Sequence, residues 1–167
     1  MEAMRILNGK QTIIIRKSVP KDELPIKVWL YCSDSKDFLL DKDQNYFVWD
    51  KHEHHYFYEY EEEPKEHYFQ KKIIASFTLK RIDLMEARRL KDGTPTYKTK
   101  AVYGNIIHRA CMDSNQLWDY LKDNNGKALY VSDLEIPKKP IKPSEFKYRK
   151  NHLKVSKVHG PYMYVEE

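Results

Sequence analysis

Gly9-Lys10-Gln11-Thr12-Ile13-Ile14-Ile15-Arg16-Lys17 is the stretch whose reading decides the fold. A β-branched run bounded by Gly9 and Pro20 reads as a buried strand, because branched side chains pack well on a pleated surface. Strand alternation puts Thr12, Ile14 and Arg16 on one face and Ile13, Ile15 and Lys17 on the other. Before it, Glu2 to Asn8 has room only for a short helix, with Gly9 as its stop. After it, Lys27-Val28-Trp29-Leu30-Tyr31-Cys32 reads as a second strand, entered through Pro25.

The same pattern continues along the chain. Ile73 to Leu79 is a core strand. Asp113-Ser114 caps a helix over Gln116 to Leu121, which stops at Asn124-Asn125-Gly126. Ala128 to Ile136 is a further strand. Pro137, Pro140 and Pro143 force an extended connection through a basic segment, residues 137–160, before a last strand at Tyr162 to Val165. Several short strands with two or so short helices point to an α+β fold, most simply a small barrel or curled sheet. Residues 41–70 differ in character: tyrosines and histidines among acids, with Tyr56, Tyr58 and Tyr60 on one face of a possible hairpin arm.

The whole chain, 167 residues and 20.1 kDa, is enough for one domain and too little for two ordinary ones. Its apolar runs fall far short of the ~20 residues a membrane helix needs, and the N-terminus has no secretory pattern. Two cysteines, Cys32 and Cys111, make no disulfide framework and suit a reducing cytoplasm. The net charge is +5, distributed in blocks. Residues 137–157 carry eight bases and one acid, residues 71–100 nine and three, and residues 41–70 three and nine. Blocks of opposite sign point to a basic face and a separate acidic projection, or to a solvated surface on which they intermingle.

In this setting the opening segments resemble the ASCH domain family. Ile73 to Leu79 is similar to its "VVGEFT" strand and Cys111 to Leu121 to its "CLSEEEL" helix. Ser132-Asp133-Leu134 with Lys139-Pro140 and Ser144-Glu145-Phe146 resembles "HISDLKIYDKPKELSEF" of a branch found in bacterial and phage genomes. Tyr164 to Glu167 resembles that branch's "YVEE" ending. The likeness runs in order along nearly the whole chain except residues 41–70, which look like an insertion. It implies a PUA-like β-barrel and a cytoplasmic protein that binds RNA or a nucleotide-like ligand.

The chain departs from the family's signature, G-x-K-x-x-E-x-R. Gly9 and Arg16 occupy its ends, but Gln11 stands at the lysine and Ile14 at the glutamate. Only eight residues precede Gly9, fewer than the family's usual N-terminal strand requires. In the family's amidohydrolases of N4-acetylcytidine those two positions carry the chemistry. Gln11 has no amine lone pair and Ile14 no polar atom, so neither supplies a base or nucleophile. A non-catalytic binding role is therefore expected, with an amidohydrolase or a ribonuclease as the alternative.

The expected ligand contacts are Gly9, Lys10, Gln11, Thr12, Arg16, Lys17 and Ser132. Arg16 offers a planar fork to a phosphate or closes a structural ion pair. Lys10 neighbours the missing lysine, but strand parity aims it elsewhere. Lys138, Lys139, Lys147, Arg149 and Lys150, with Tyr148 among them, suit a nucleic-acid backbone, or simply keep an exposed connector solvated. His52, His54, His55 and His67 fit a solvated arm better than a metal site, and neither cysteine has a partner pattern for nucleophilic work. No cofactor is expected. Residues 41–70 remain a candidate surface for a homodimer, tyrosine being common at interfaces.

Overall fold

The computed structural model describes residues 2–7, 9–33, 38–40, 46–50, 55–57, 71–158 and 165–166. The chain opens with helix α1 (Glu2–Leu7) and runs through strands β1 (Ile13–Arg16) and β2 (Ile26–Cys32). Three short strands follow, β3 (Phe38–Leu40), β4 (Tyr46–Asp50) and β5 (His55–Phe57), then β6 (Lys72–Arg89) and β7 (Pro95–Lys98). Helices α2 (Tyr103–Arg109) and α3 (Ser114–Leu121) precede β8 (Gly126–Glu135). A single 3₁₀ turn (Pro143–Glu145) leads to β9 (Lys147–Tyr148), which pairs with β10 (Val165–Glu166).

The architecture is α+β on a mostly antiparallel sheet. Its strand order is β1-β8-β6-β2, with β7 on the far half of β6. Register follows burial: Ile14 opposes Leu129 and Val28 opposes Phe77, so apolar groups share faces across the ladders. One face holds Ile14, Phe77, Leu79 and Leu129 against Ile6 of α1. The other holds Ile13, Ile15, Met85 and Ala128 against Ile106, Leu117 and Leu121 of α2 and α3. A third cluster, Ile73, Phe146 and Val155 with Trp29, seats the C-terminal segment on the sheet.

Local chemistry explains the helix boundaries. At the start of α3, Asp113 accepts from the Gln116 backbone at 2.8 Å, while the Gln116 side chain accepts from the Asp113 backbone at 3.1 Å. The helix ends on Lys122 and Asp123, both left-handed, and Asn124 donates to the orphan carbonyl of Leu121 at 2.8 Å. Gly126 follows because a Cβ there would lie 2.7 Å from Leu121 Cδ1. Helix α1, six residues long, would be marginal alone; burial of Ile6 and Leu7 against the sheet holds it.

One expectation needs correcting. The strand expected over 73–79 runs to Arg89, because a one-residue bulge against β8, with Lys80 and Arg81 opposite Tyr130, lets the apolar alternation resume at Met85. Neither α2 nor β7 was foreseen: α2 carries one fully buried residue, Ile106, too few to make a helical period stand out. The arm in residues 41–70 is described only at β4 and β5, which form a three-stranded meander with β3 just before it; the segment with Tyr58 and Tyr60 lies outside the described residues.

Tyr97 is buried, and its hydroxyl has no hydrogen-bond partner among the described residues. An unpaired buried hydroxyl costs about 1–3 kcal/mol. Tyr97→Phe is therefore expected to leave stability unchanged or raise it by up to about 1 kcal/mol in urea unfolding, and a clear loss would contradict an unpaired hydroxyl.

Candidate nucleic-acid interface

The slip that lengthens β6 also sets its chemistry. Arg81, in the bulge, donates from Nε and Nη2 to the two oxygens of Asp83 at 2.9 and 2.5 Å. Asp83 is buried, its side chain only 4% exposed, whereas that of Arg81 is 53% exposed. Tyr130 on β8 donates its hydroxyl to the same carboxylate at 2.9 Å. The Arg81 guanidinium lies 4.6 Å from the Tyr130 ring centroid. From the C-terminal end of α2, the guanidinium of Arg109 lies 5.4 Å from the same ring. Arg109 is fixed there by donating from Nε to Thr12 Oγ1 at 2.9 Å, and the Thr12 amide returns a bond to its carbonyl at 3.0 Å.

Tyr130 is thus an aromatic ring with two cations on it, each worth about 0.5–2 kcal/mol as a cation–π contact. Among the described residues nothing takes Nη1 of Arg81 or either terminal nitrogen of Arg109. Lys100 acts on the cluster electrostatically. Three cations against one carboxylate leave the cluster at +2 and able to attract an anion.

The titrations follow from these contacts. Hydrogen bonding from Arg81 holds the Asp83 carboxyl below the usual carboxylate range against the opposing effect of burial, and Tyr130 and Lys100 add to the lowering. Burial, and then the bond to Asp83, push the Tyr130 hydroxyl up, so the ring stays neutral at physiological pH.

The residues singled out in the sequence fall into three groups. Thr12 joins the Tyr130 cluster, and Ser132, half-buried, lies two positions along β8 on the same face. Gln11 and Arg16 converge instead on Glu2 of α1. Arg16 donates from Nη1 and Nη2 to its two oxygens at 3.1 and 2.6 Å, and Gln11 from Nε2 at 3.2 Å. The ion pair weighed for Arg16 is therefore present. Ile14 is buried in the core. Gly9 (φ 72°) closes α1, and exposed Lys10 offers its carbonyl to the Cys111 thiol at 3.4 Å. Lys17 reaches over the Tyr120 ring at 5.3 Å.

In the C-terminal segment Lys138, Lys139, Lys147 and Lys150 are exposed. Arg149, also exposed, pairs with Asp22 at 2.7 Å, and Lys147 faces Lys154 across an isolated bridge. All three arginines of the 71–100 block are ion-paired: Arg81 with Asp83, Arg88 with Glu86 and Arg89 with Asp123.

Sequence reasoning missed Arg81, Asp83 and Arg109. The two-residue spacing of Arg81 and Asp83 was the available signal, but it requires a strand to continue past Leu79. Among the described residues no three His, Cys, Asp or Glu side chains gather as for a metal, and the side chains of His52, His54, His55 and His67 lie outside them. No described helix is long and apolar enough to cross a membrane. No protein-family model matches the chain, and no curated protein or solved structure does so either.

A carboxylate whose folded pKa is lowered stabilises the fold above its unfolded pKa, and that contribution is lost as pH falls through the folded value. Asp83→Asn is expected to cost about 1–3 kcal/mol at neutral pH. The gap to the wild type should close as pH drops below the ordinary carboxylate range in urea titrations at stepped pH. A gap that persists at low pH would place the effect elsewhere.

Proposed function

We propose that this chain is a non-catalytic RNA-binding domain that takes a single-stranded RNA or nucleotide-like ligand on the face around Tyr130. The carrying observation is the Tyr130 ring held beside Arg81 and Arg109, whose remaining N–H groups have no partner among the described residues. A base stacks on an exposed ring or on a guanidinium plane whatever its sequence, and a guanidinium takes a phosphate bidentately. Thr12 and Ser132 add neutral hydrogen-bonding groups at the edge, and Lys10 adds charge two residues from Thr12. The backbone would continue along Lys138, Lys139, Lys147 and Lys150.

The resemblance to ASCH domains on a PUA-like barrel supports the same reading. The non-catalytic part rests on Gln11, whose amide is engaged by Glu2 and the Ile13 carbonyl, and on Ile14 in the core. Neither is a base. Turnover of N4-acetylcytidine by the purified protein would overturn that part.

Fluorescence anisotropy with a short oligouridine across a salt series tests the binding. Each phosphate contact contributes a slope of about −0.7 in log affinity against log salt for a single strand. Arg109→Met is expected to weaken binding and flatten that slope by about one contact. Tyr130→Leu should cost about 1–3 kcal/mol, the value of one stacked base. Binding without a salt slope, or unchanged in both variants, would remove the proposal.

A further inference from the structure

Glu2 occupies more than a surface ion pair. Three N–H groups converge on its carboxylate: Arg16 Nη1 and Gln11 Nε2 on Oε1 at 3.1 and 3.2 Å, and Arg16 Nη2 on Oε2 at 2.6 Å. Gln11 is one of three buried polar residues among those described, 4% exposed, and its amide is steadied by a second bond to the Ile13 carbonyl at 3.1 Å. The Arg16 side chain is 27% exposed and the Glu2 side chain 42%. A buried amide and a half-sheltered guanidinium thus present donors to an oxyanion that faces water. A planar fork meeting two oxygens is how arginine takes carboxylates and phosphates alike.

The tether has an asymmetric hold. Ile6 and Leu7 anchor the C-terminal end of α1 in the core, whereas Glu2 stands at the opposite end of a helix only six residues long. A helix that short has little stability of its own, so its first turn can open while its anchors stay buried. Beside Arg16 lies Tyr120 of α3, which interacts with it, and the Lys17 ammonium sits over the Tyr120 ring. An aromatic face and a second cation at the rim suit a nucleotide phosphate better than a bare anion.

We propose that Glu2 is an internal ligand: α1 seats its carboxylate on an oxyanion site built by Arg16 and Gln11, and a phosphate monoester takes that site when the first turn of α1 lifts away. A phosphate monoester brings a charge of about −1.5 to −2 where Glu2 brings −1, so it competes on charge as well as shape. While Glu2 is seated, apparent affinity is reduced by the fraction of molecules with the site open. That the phosphate belongs to a nucleotide or RNA rests on the proposed function; the oxyanion site does not.

The test titrates inorganic phosphate, at ionic strength matched with chloride, into the full-length wild type, Glu2→Gln, Glu2→Asp and the double variant Glu2→Gln/Arg16→Met, with circular dichroism as the check on folding. Glu2→Gln is expected to bind phosphate about 5- to 150-fold more tightly than the wild type, the span of ordinary coupling between competing ligands. The double variant should lose that gain. Glu2→Asp keeps the charge at the helix start but shortens the reach, and so should share the gain even if Glu2→Gln folds poorly. Equal phosphate affinity in the wild type, Glu2→Gln and Glu2→Asp overturns the proposal, as does a gain that survives Arg16→Met.

Oligouridine with a 5′-phosphate or a 5′-hydroxyl separates the two readings. A Glu2→Gln gain for phosphate with no RNA bound by any variant leaves the oxyanion site standing and removes the RNA reading. RNA bound through Tyr130 with no effect of Glu2 does the reverse.

Discussion

Strand β8 is hydrogen-bonded on both edges, to β1 and to β6, and the register of these two ladders decides what every other group can reach. Against β1 it sets Tyr130 opposite Ile13 and so beside Thr12. Against β6 it moves from Leu79–Val131 to Ile82–Leu129, leaving Lys80 and Arg81 of β6 against Tyr130 alone on β8. Side chains alternate with a period of two, so this one-residue displacement passes the odd-numbered side chains of β6 from the face where Phe77 and Leu79 pack near α1 to the face where Met85 packs against α2 and α3. The slip keeps Met85 in the core and Asp83 within reach of Tyr130, while Arg81 emerges at the surface. Packing and site chemistry therefore share one constraint.

The few buried polar groups show how that constraint is satisfied. Asp83 is charged in a buried position and is met by both a guanidinium and a phenol, which is what makes its burial tolerable. Gln11 spends its amide on Glu2 and on a backbone carbonyl, and Ser76 donates to Glu135 at 3.2 Å. In the first case an arginine, Arg81, is itself the partner; in the second, Arg16 holds the partner, Glu2. Arginine serves both because its fork satisfies two oxygens at once and still carries further N–H groups. The basic character legible in the composition is thus partly consumed inside the molecule.

Much of the framework was readable from local signals. The helix stop at Gly9, the β-branched strand after it, the Asp113 cap and the strand after Gly126 each depend on chemistry within a few residues. Even the direction of Arg16 followed from parity with Ile14: Ile14 packs on Ile6 of α1 and Arg16 pairs with Glu2 of the same helix. The site was less legible. Thr12 and Ser132 could be picked out, but Arg109 lies 97 residues from the threonine that positions it, and Asp83 lies 47 from the tyrosine it binds. Nothing local to Arg81 shows that its strand continues beyond Leu79.

The amino-acid sequence by itself determined which segments could be strands or helices, where they stop, and that Gln11 and Ile14 bring no base to the first strand. Those properties belong to single residues and their immediate neighbours, through backbone preference, period and side-chain chemistry. Only the tertiary structure decided which charges meet. It gave Arg16 to Glu2, Arg81 to Asp83, and Tyr130 to two guanidiniums, because pairing between distant residues depends on strand register and on the seating of short helices, neither of which any local stretch encodes.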